Sequence, residues 1–183
     1  MLREVKMKKK LIIIGVIVIL IILASFYLIT KVFSETHSEH PNINKKTMEE
    51  INTLFTPPGA KLAIVPSTHS ITLKQGSKSG GFAFSVRNNL NETKKFTWTI
   101  ALDENYNIAT KCPALNAKEA NSWIILSEGS FPLAPGAKME SPELVLFSIP
   151  ETAPLCVLKY KLEIRENNNI YFIANVYVTI VGK

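Results

Sequence analysis

The sequence predicts an all-β fold, a two-sheet sandwich of about seven strands that follows one N-terminal transmembrane helix. Two observations support this fold class. First, an uncharged apolar run occupies residues 11–29. Second, from Ala60 onward, short segments of alternating polarity recur between turn residues, and no amphipathic segment long enough for a helix interrupts them. Antiparallel strands with one buried face produce this alternation.

The excess positive charge belongs to the N-terminal tail. The chain has 183 residues and a net charge of +6. Residues 1–33 contain six Lys/Arg and one acidic residue, whereas residues 34–183 contain fifteen Lys/Arg and fourteen Asp/Glu. The larger part of the chain is therefore almost neutral, and its charge does not favour nucleic-acid binding.

The apolar run is predicted to be a transmembrane helix over residues 11–30. Nineteen uncharged residues, Leu11 to Ile29, would span about 28 Å as a helix, close to the hydrocarbon thickness of a bilayer. A cleaved signal peptide is the alternative, with weak cleavage candidates at Ala24-Ser25 and after Val32. Five basic residues precede the run, so we expect residues 1–10 in the cytoplasm and the rest of the chain outside, at the cell membrane.

A polar spacer, residues 31–60, is expected to connect the anchor to the sandwich. Thr47 and Glu50 have the spacing of a capping box, and the residues after them predict a short helix over 47–55. Upstream, Glu35, His37, Glu39 and His40 are potential metal ligands, but a linker without a further fixed ligand favours a solvated segment. We therefore expect no metal site here.

The strands, labelled A to G, are predicted from alternation and from turn residues. Strand A contains Pro66 and is expected to be a broken edge strand. Strand G shifts its alternation near Ala174-Asn175, which indicates a bulge. The predicted ranges are A 61–74, B 80–88, C 95–103, D 122–126, E 142–149, F 156–165 and G 170–181.

Three segments in order, "GSKSGGFAFSVRNNLNET", "FPLAPGAKMESPELVLFSIPETAP" and "LKYKLEI", resemble immunoglobulin-like domains of prokaryotic surface proteins. In such domains a glycine-containing turn precedes an F-x-V-x-N strand, and a later L-x-P-G turn, here Leu133 to Gly136, precedes a strand that ends in proline. With its predicted anchor and its two cysteines, this chain also resembles archaeal single-pass membrane proteins. The resemblance implies an immunoglobulin-like sandwich over residues 61–183 and no catalytic residues.

The immunoglobulin-like topology places the two cysteines together. Strands C and F share a sheet in that fold, Cys112 follows C, and Cys156 begins F at the same end. We therefore expect a Cys112–Cys156 disulfide that ties loop 104–121 to the sheet, in an oxidising compartment. Two free buried thiols, an intermolecular bridge and a metal site remain alternatives.

No catalytic, cofactor or metal site emerges from the remaining residues. His69 is the one histidine of the predicted domain, and there is no phosphate-binding loop and no Cys-x-x-Cys motif. We expect Asp103 and Glu104 to be solvated, and Trp98 and Trp123 to lie in the core.

The "NET" sequence beginning at Asn91 is a possible glycosylation site on the B–C turn. On strand F, Leu158, Tyr160 and Leu162 are expected to be buried. The alternate residues Lys159, Lys161 and Glu163 are expected to be exposed.

The sequence therefore predicts a non-catalytic, membrane-anchored module of the cell envelope. One interpretation is an outer domain that binds another protein or a glycan at the cell surface. The alternative is a subunit that polymerises into a surface filament through its strand edges. Either function would use the broken edge strand around Pro66 or the disulfide-tied loop as its contact surface.

Overall fold

Eight strands form two sheets that face each other across the core in the computed structural model, which describes residues 45–183. The predicted basic tail, the predicted transmembrane segment and the His/Glu-containing linker lie outside the described residues. Within residues 45–183, no helix combines the length and the apolar composition needed to cross a bilayer.

One sheet has three strands and the other has five. The three-stranded sheet has the order β1-β3-β6 and the five-stranded sheet has the order β2-β8-β7-β4-β5. All neighbours are antiparallel except β2 and β8, which are parallel. The strands are β1 Leu62–Val65, β2 Ser70–Lys74, β3 Gly80–Val86, β4 Lys94–Leu102, β5 Glu128–Leu133, β6 Glu143–Phe147, β7 Val157–Glu166 and β8 Asn169–Val181; the helices are α1 Lys45–Leu54, α2 Ile108–Lys111 and α3 Ala117–Ser122.

The strand order is that of an immunoglobulin-like sandwich. Strands β3 and β6 correspond to B and E in one sheet, whereas β4, β7 and β8 correspond to C, F and G in the other. The predicted strand A is two strands. It breaks at the cis peptide bond between Val65 and Pro66, and β1 and β2 belong to different sheets. The chain therefore changes sheet at residues 66–69.

The core lies between the sheets and is built from the predicted alternation. Phe84 of the three-stranded sheet contacts Trp98 of the other edge-on, with ring centroids 5.3 Å apart. Phe147 and Tyr160 make a second contact between the layers, at 5.1 Å. Trp98, Trp123, Leu158, Tyr160 and Leu162 are all buried, as predicted.

One strand prediction is wrong, and one strand of the structure was not predicted. The segment 122–126 is not a strand, because Ser122 ends helix α3, Trp123 enters the core and Ile124 forms only an isolated bridge with Phe147. Instead, residues 128–133 form β5 on the free side of β4. The exposure of its residues alternates, but one of the less exposed positions is Gly129, so the sequence shows little apolar alternation. A Cβ atom at Gly129 would lie 2.5 Å from Nε1 of Trp98, which explains the glycine.

Two details of the F–G hairpin also differ from the prediction. The register shift lies at Tyr171, between the pairs Ile164–Phe172 and Arg165–Ile170, rather than near Ala174-Asn175. Glu163 is buried although it points away from the core. Its strand is central in a five-stranded sheet, so neighbouring side chains cover it, and Lys161 and Arg165 form ion pairs with its carboxylate.

Helix α1 packs on the outer face of the three-stranded sheet. Ile51 and Phe55 are buried there against Ala63 and Ala83, whose small side chains leave room for a helix. This contact explains why Ala83 is buried although it lies on the face turned away from the core between the sheets. The helix is described from Lys45, so Thr47 lies inside it rather than at an N-cap.

Two polar contacts also hold α1 to the sandwich. The backbone N–H of Ser67 donates a hydrogen bond to the Glu50 carboxylate at 3.2 Å. Lys138 donates one to the side chain of Asn52. A ten-residue helix is marginal alone, and these contacts supply the packing that it needs.

Candidate functional site

The exposed large apolar side chains fall into two groups. Ile125, Leu126, Leu155 and Val157 lie at the end of the sandwich where β4 and β8 finish and β7 begins. The other group lies along β8 and consists of Ile170, Phe172, Ile173 and Tyr177. Exposed apolar groups of this size mark contact surfaces more often than scattered single residues do. Both surfaces are therefore candidates.

The first surface is the capped end, defined as residues 103–127 together with 148–157. The segment predicted as loop 104–121 contains the short helix α2 and most of the short helix α3. Asn107 and Asn116 cap them, with side-chain oxygens that accept hydrogen bonds from the backbone N–H groups of Thr110 and Glu119. Such caps satisfy the free donors at a helix start, so polar residues without periodicity still form local structure.

The predicted disulfide is present and fastens the capped end. Cys112 directly follows α2 and is bonded to Cys156, with the two Cα atoms 5.7 Å apart. Because this bond uses both cysteines of the chain, it leaves no thiol for nucleophilic catalysis or metal binding.

Several hydrogen bonds and buried side chains hold the capped end in place as well. The Tyr160 hydroxyl, buried on β7, donates a hydrogen bond to the carbonyl of Ala120 at 2.9 Å. The Asn121 side chain accepts one from the backbone N–H of Leu102 at 2.7 Å. Trp123 and Ala120 are buried in the main core. The segment is thus a fixed part of the sandwich, and a rigid surface loses little entropy when it binds.

Asp103 lies at the base of the capped end. It was predicted to be solvated, and this prediction is wrong. Its carboxylate is buried, accepts a hydrogen bond from Lys159 at 2.6 Å and accepts another from the backbone N–H of Asn105 at 3.0 Å. The bond from Lys159, followed by that from Asn105, lowers the pKa of Asp103 below its ordinary value. Glu104 is exposed, as predicted. Asp103 therefore serves as a structural anchor between β4 and β7.

We predict that Asp103→Asn destabilises the fold at neutral pH but not at low pH. Since the folded-state pKa of Asp103 is lowered, its contribution to stability is present above the unfolded-state pKa, about 3.9, and disappears as the pH falls through the lower folded value. Urea unfolding from pH 7 to pH 2.5 should show the difference between wild type and variant shrinking below about pH 4. Glu104→Gln is the control, and an equal loss in both variants would contradict the assignment.

The second surface is the open edge, defined as residues 169–176 of β8. Strand β2 pairs with residues 177–181 only, because the chain joins this sheet at Ser70 and belongs to the other sheet before the crossing turn. Among residues 45–183, no strand pairs with the open edge on the side away from β7. Unpaired backbone groups of such an edge can accept a further strand.

The other candidate residues occupy unconnected positions. Asn91 is exposed on the turn between β3 and β4, and its glycosylation remains a prediction. His69 lies in the sheet-crossing turn with φ at 53°. Within the described part of the chain, no group of three or more His, Cys, Asp and Glu residues could hold a metal ion. A cleft of about 440 Å³ beside β5 is lined by residues of the 131–143 segment and contains neither histidine nor cysteine.

Sequence reasoning missed the open edge. Pro66 indicated a broken edge strand, but the local pattern does not reveal that the two halves enter different sheets. The available signal was the length of β8, whose thirteen residues exceed either half of the predicted strand A on the two sides of Pro66.

No family model and no curated protein matches the chain. Among solved structures, it resembles the E. coli chaperone DraB at 10% identity and a TM-score of 0.35, over 65% of this chain and 53% of DraB. It resembles WR4, a C. elegans MSP family member, at 9% identity and a TM-score of 0.37, over 67% of this chain and 99% of the other.

A third similar structure is a PapD-like domain of human CEP192, at 12% identity and a TM-score of 0.35, over 70% of this chain and 87% of the other. The matched region thus spans about half of DraB. Likenesses this distant carry no argument about function, and the fold assignment depends on the strand order.

Proposed function

We propose that this chain is a membrane-anchored module of the cell envelope, whose extracytoplasmic sandwich binds a protein or a glycan and performs no catalysis. The observation that carries the proposal is the capped end, where a disulfide and a buried Tyr160 hydrogen bond fix a surface that exposes Leu155 and Val157. Fixed loops on a rigid scaffold commonly bind partners. Covering the exposed leucine and valine side chains with a partner lowers the free energy, because apolar surface is removed from water.

The sequence supports the location of this module. The uncharged run at residues 11–29 follows five basic residues, which favours an anchor with its N-terminus in the cytoplasm. The disulfide fits an oxidising exterior. An anchor also confines the sandwich to a thin layer above the membrane, so weak contacts suffice at the high local concentration.

The location is tested by adding protease to intact cells that lack a surface coat. We expect the sandwich to be degraded while a tag fused to the N-terminus survives. A sandwich that stays protected until the membrane is opened would contradict the orientation.

The binding surface is tested by photo-crosslinking on the same cells. A photoreactive residue in place of Leu155, exposed at the capped end, should give discrete crosslinked species. The same residue in place of Ala134, exposed at the opposite end of the sandwich, should not. Identical patterns at both positions, or crosslinks at neither, would contradict a specific surface at the capped end.

The filament alternative is favoured by one observation, the open edge of β8. A filament requires that this edge pair with a different edge of the next molecule. The assembly then does not close, and further molecules can be added at its ends. Light scattering of the full chain in detergent should then show polymers that lengthen with concentration. A species of fixed mass would exclude the filament.

A further inference from the structure

Apart from the register shift at Tyr171, the open edge lacks the features that normally prevent strand edges from pairing. Natural proteins protect such edges with charged residues, prolines, β-bulges or very short strands. Residues 169–176, "NIYFIANV", contain no charged residue and no proline. Their side chains include the exposed Ile170, Phe172 and Ile173.

The other edges within residues 45–183 are all protected. Strand β5 contains Glu128 and Pro132, and β2 is five residues long and ends in Lys74. Strand β1 has four residues. The free side of β6 is bonded to the segment that follows α3, where the backbone N–H of Ile125 donates to the carbonyl of Leu146. The lack of charge and proline in the part of the open edge beyond the bulge, residues 172–176, therefore indicates that something covers it.

We propose that a second copy of this chain covers the open edge, by antiparallel pairing of the two β8 strands about a two-fold axis at Ile173. In this arrangement Ile173 lies directly opposite its twin, and the two five-stranded sheets become one continuous sheet. An uncharged segment pairs with itself without charge repulsion. The two-fold contact uses the same patch on both copies, so the assembly closes at the dimer.

The position of α1 explains why the occupant is a second copy. Antiparallel neighbours in one sheet are related by an axis perpendicular to that sheet, so each face of the sheet is preserved. Helix α1 lies on the outer face of the three-stranded sheet, and both α1 helices therefore lie on the same side of the dimer. This choice of occupant rests on the proposed anchor, since two anchors in one membrane must approach from one side.

The length of chain between the predicted anchor and α1 is compatible with this arrangement. Fourteen residues, 31–44, separate the predicted transmembrane segment from the start of α1. Fully extended, they reach about 50 Å. Both chains of the dimer can therefore enter one bilayer without disturbing the paired sheets.

The first test is cysteine crosslinking of the full chain in native membranes. Both native cysteines are already bonded, so a single introduced cysteine is the free thiol. Ile173→Cys lies about 5 Å from its twin in the dimer and should form a crosslinked dimer under mild oxidation. Tyr177→Cys is the matched control, since Ile173 and Tyr177 are 42% and 40% exposed on the same strand. Its twin would be about 27 Å away, so it should not crosslink.

The second test is an exchange of charges at the axis. Ile173→Lys or Ile173→Glu alone places like charges opposite each other and should weaken the dimer at least about tenfold, measured by light scattering of the full chain in detergent. An equal mixture of the two variants should recover a dimer containing one copy of each. Thermal unfolding of each variant checks that the sandwich remains folded.

Four outcomes would overturn the proposal. The first is equal crosslinking at positions 173 and 177. The second is a dimer that survives Ile173→Lys, and the third is a mixture of the charged variants that stays monomeric. A monomer that captures an extended apolar peptide at the open edge would assign this edge to another protein. None of these results bears on protease access or on crosslinking from Leu155, so failure here is distinguishable from failure of the proposed function.

Discussion

Leu162→Ala should lower the free energy of unfolding by about 2 to 5 kcal/mol, as expected when a fully buried leucine is truncated. Leu162 lies in the centre of the five-stranded sheet, between Ile100 of β4 and Ala174 of β8, and is not exposed at all. Neighbours on both sides are fixed in the sheet, so they can fill the cavity only partly. Urea unfolding at pH 7 measures the loss.

The adjacent residue supplies the control. Lys161→Ala removes a half-buried side chain from the outer face and one ion pair, at 3.5 Å, with Glu163. Arg165 remains to pair with that carboxylate, so the cost should stay below about 1 kcal/mol. If the two variants lost equal stability, the inward and outward faces of β7 would be misassigned.

Replacing both cysteines with alanine should cost up to about 4 kcal/mol, because the unfolded chain regains the freedom of the loop between Cys112 and Cys156. The two residues are 44 positions apart in the sequence. Alanine is preferable to serine, since Cys112 is buried and a hydroxyl there would need a partner. Denaturant unfolding in the absence of a reductant, so that the wild-type bond stays intact, measures the change.

Hydrogen exchange should locate the loss. Amides of residues 104–119 should exchange faster than in wild type, while those of β4 and β7 should change little under native conditions. The Tyr160–Ala120 hydrogen bond should still hold the rest of the segment. Uniform acceleration across the sandwich would show that the disulfide supports the whole fold rather than the capped end.

The sequence predicts the sandwich where one face of a strand is apolar and the other polar. Strand β4 shows this, since Phe96, Trp98, Ile100 and Leu102 are all buried. The rule fails where a second layer covers the outer face, as α1 covers Ala83, or where ion pairs replace solvent, as at Glu163. Period-two patterns report one buried face and carry no information about what lies on the other.

The sequence predicts the disulfide of the capped end but not the open edge. The disulfide follows from topology, because strands C and F bring their ends together in this fold. The open edge depends on which sheet each half of the broken strand joins, and packing of the whole molecule decides that. Helices α2 and α3 depend on single asparagine caps, and α3 adjoins "SWIIL", whose apolar residues mimic a strand.

The place of α1 between the N-terminal chain and the sandwich has a mechanical consequence. Tension that arrives from the N-terminal side acts first on α1, whose attachment includes Ile51, Phe55 and the contacts of Glu50 and Asn52. That attachment is small compared with the ladders of a five-stranded sheet, so the helix should peel away while the strands remain paired. Unravelling its ten residues from about 15 Å to about 35 Å yields roughly 20 Å of extension. A pull on the N-terminal end of α1 would therefore be absorbed as length before it reaches either candidate surface.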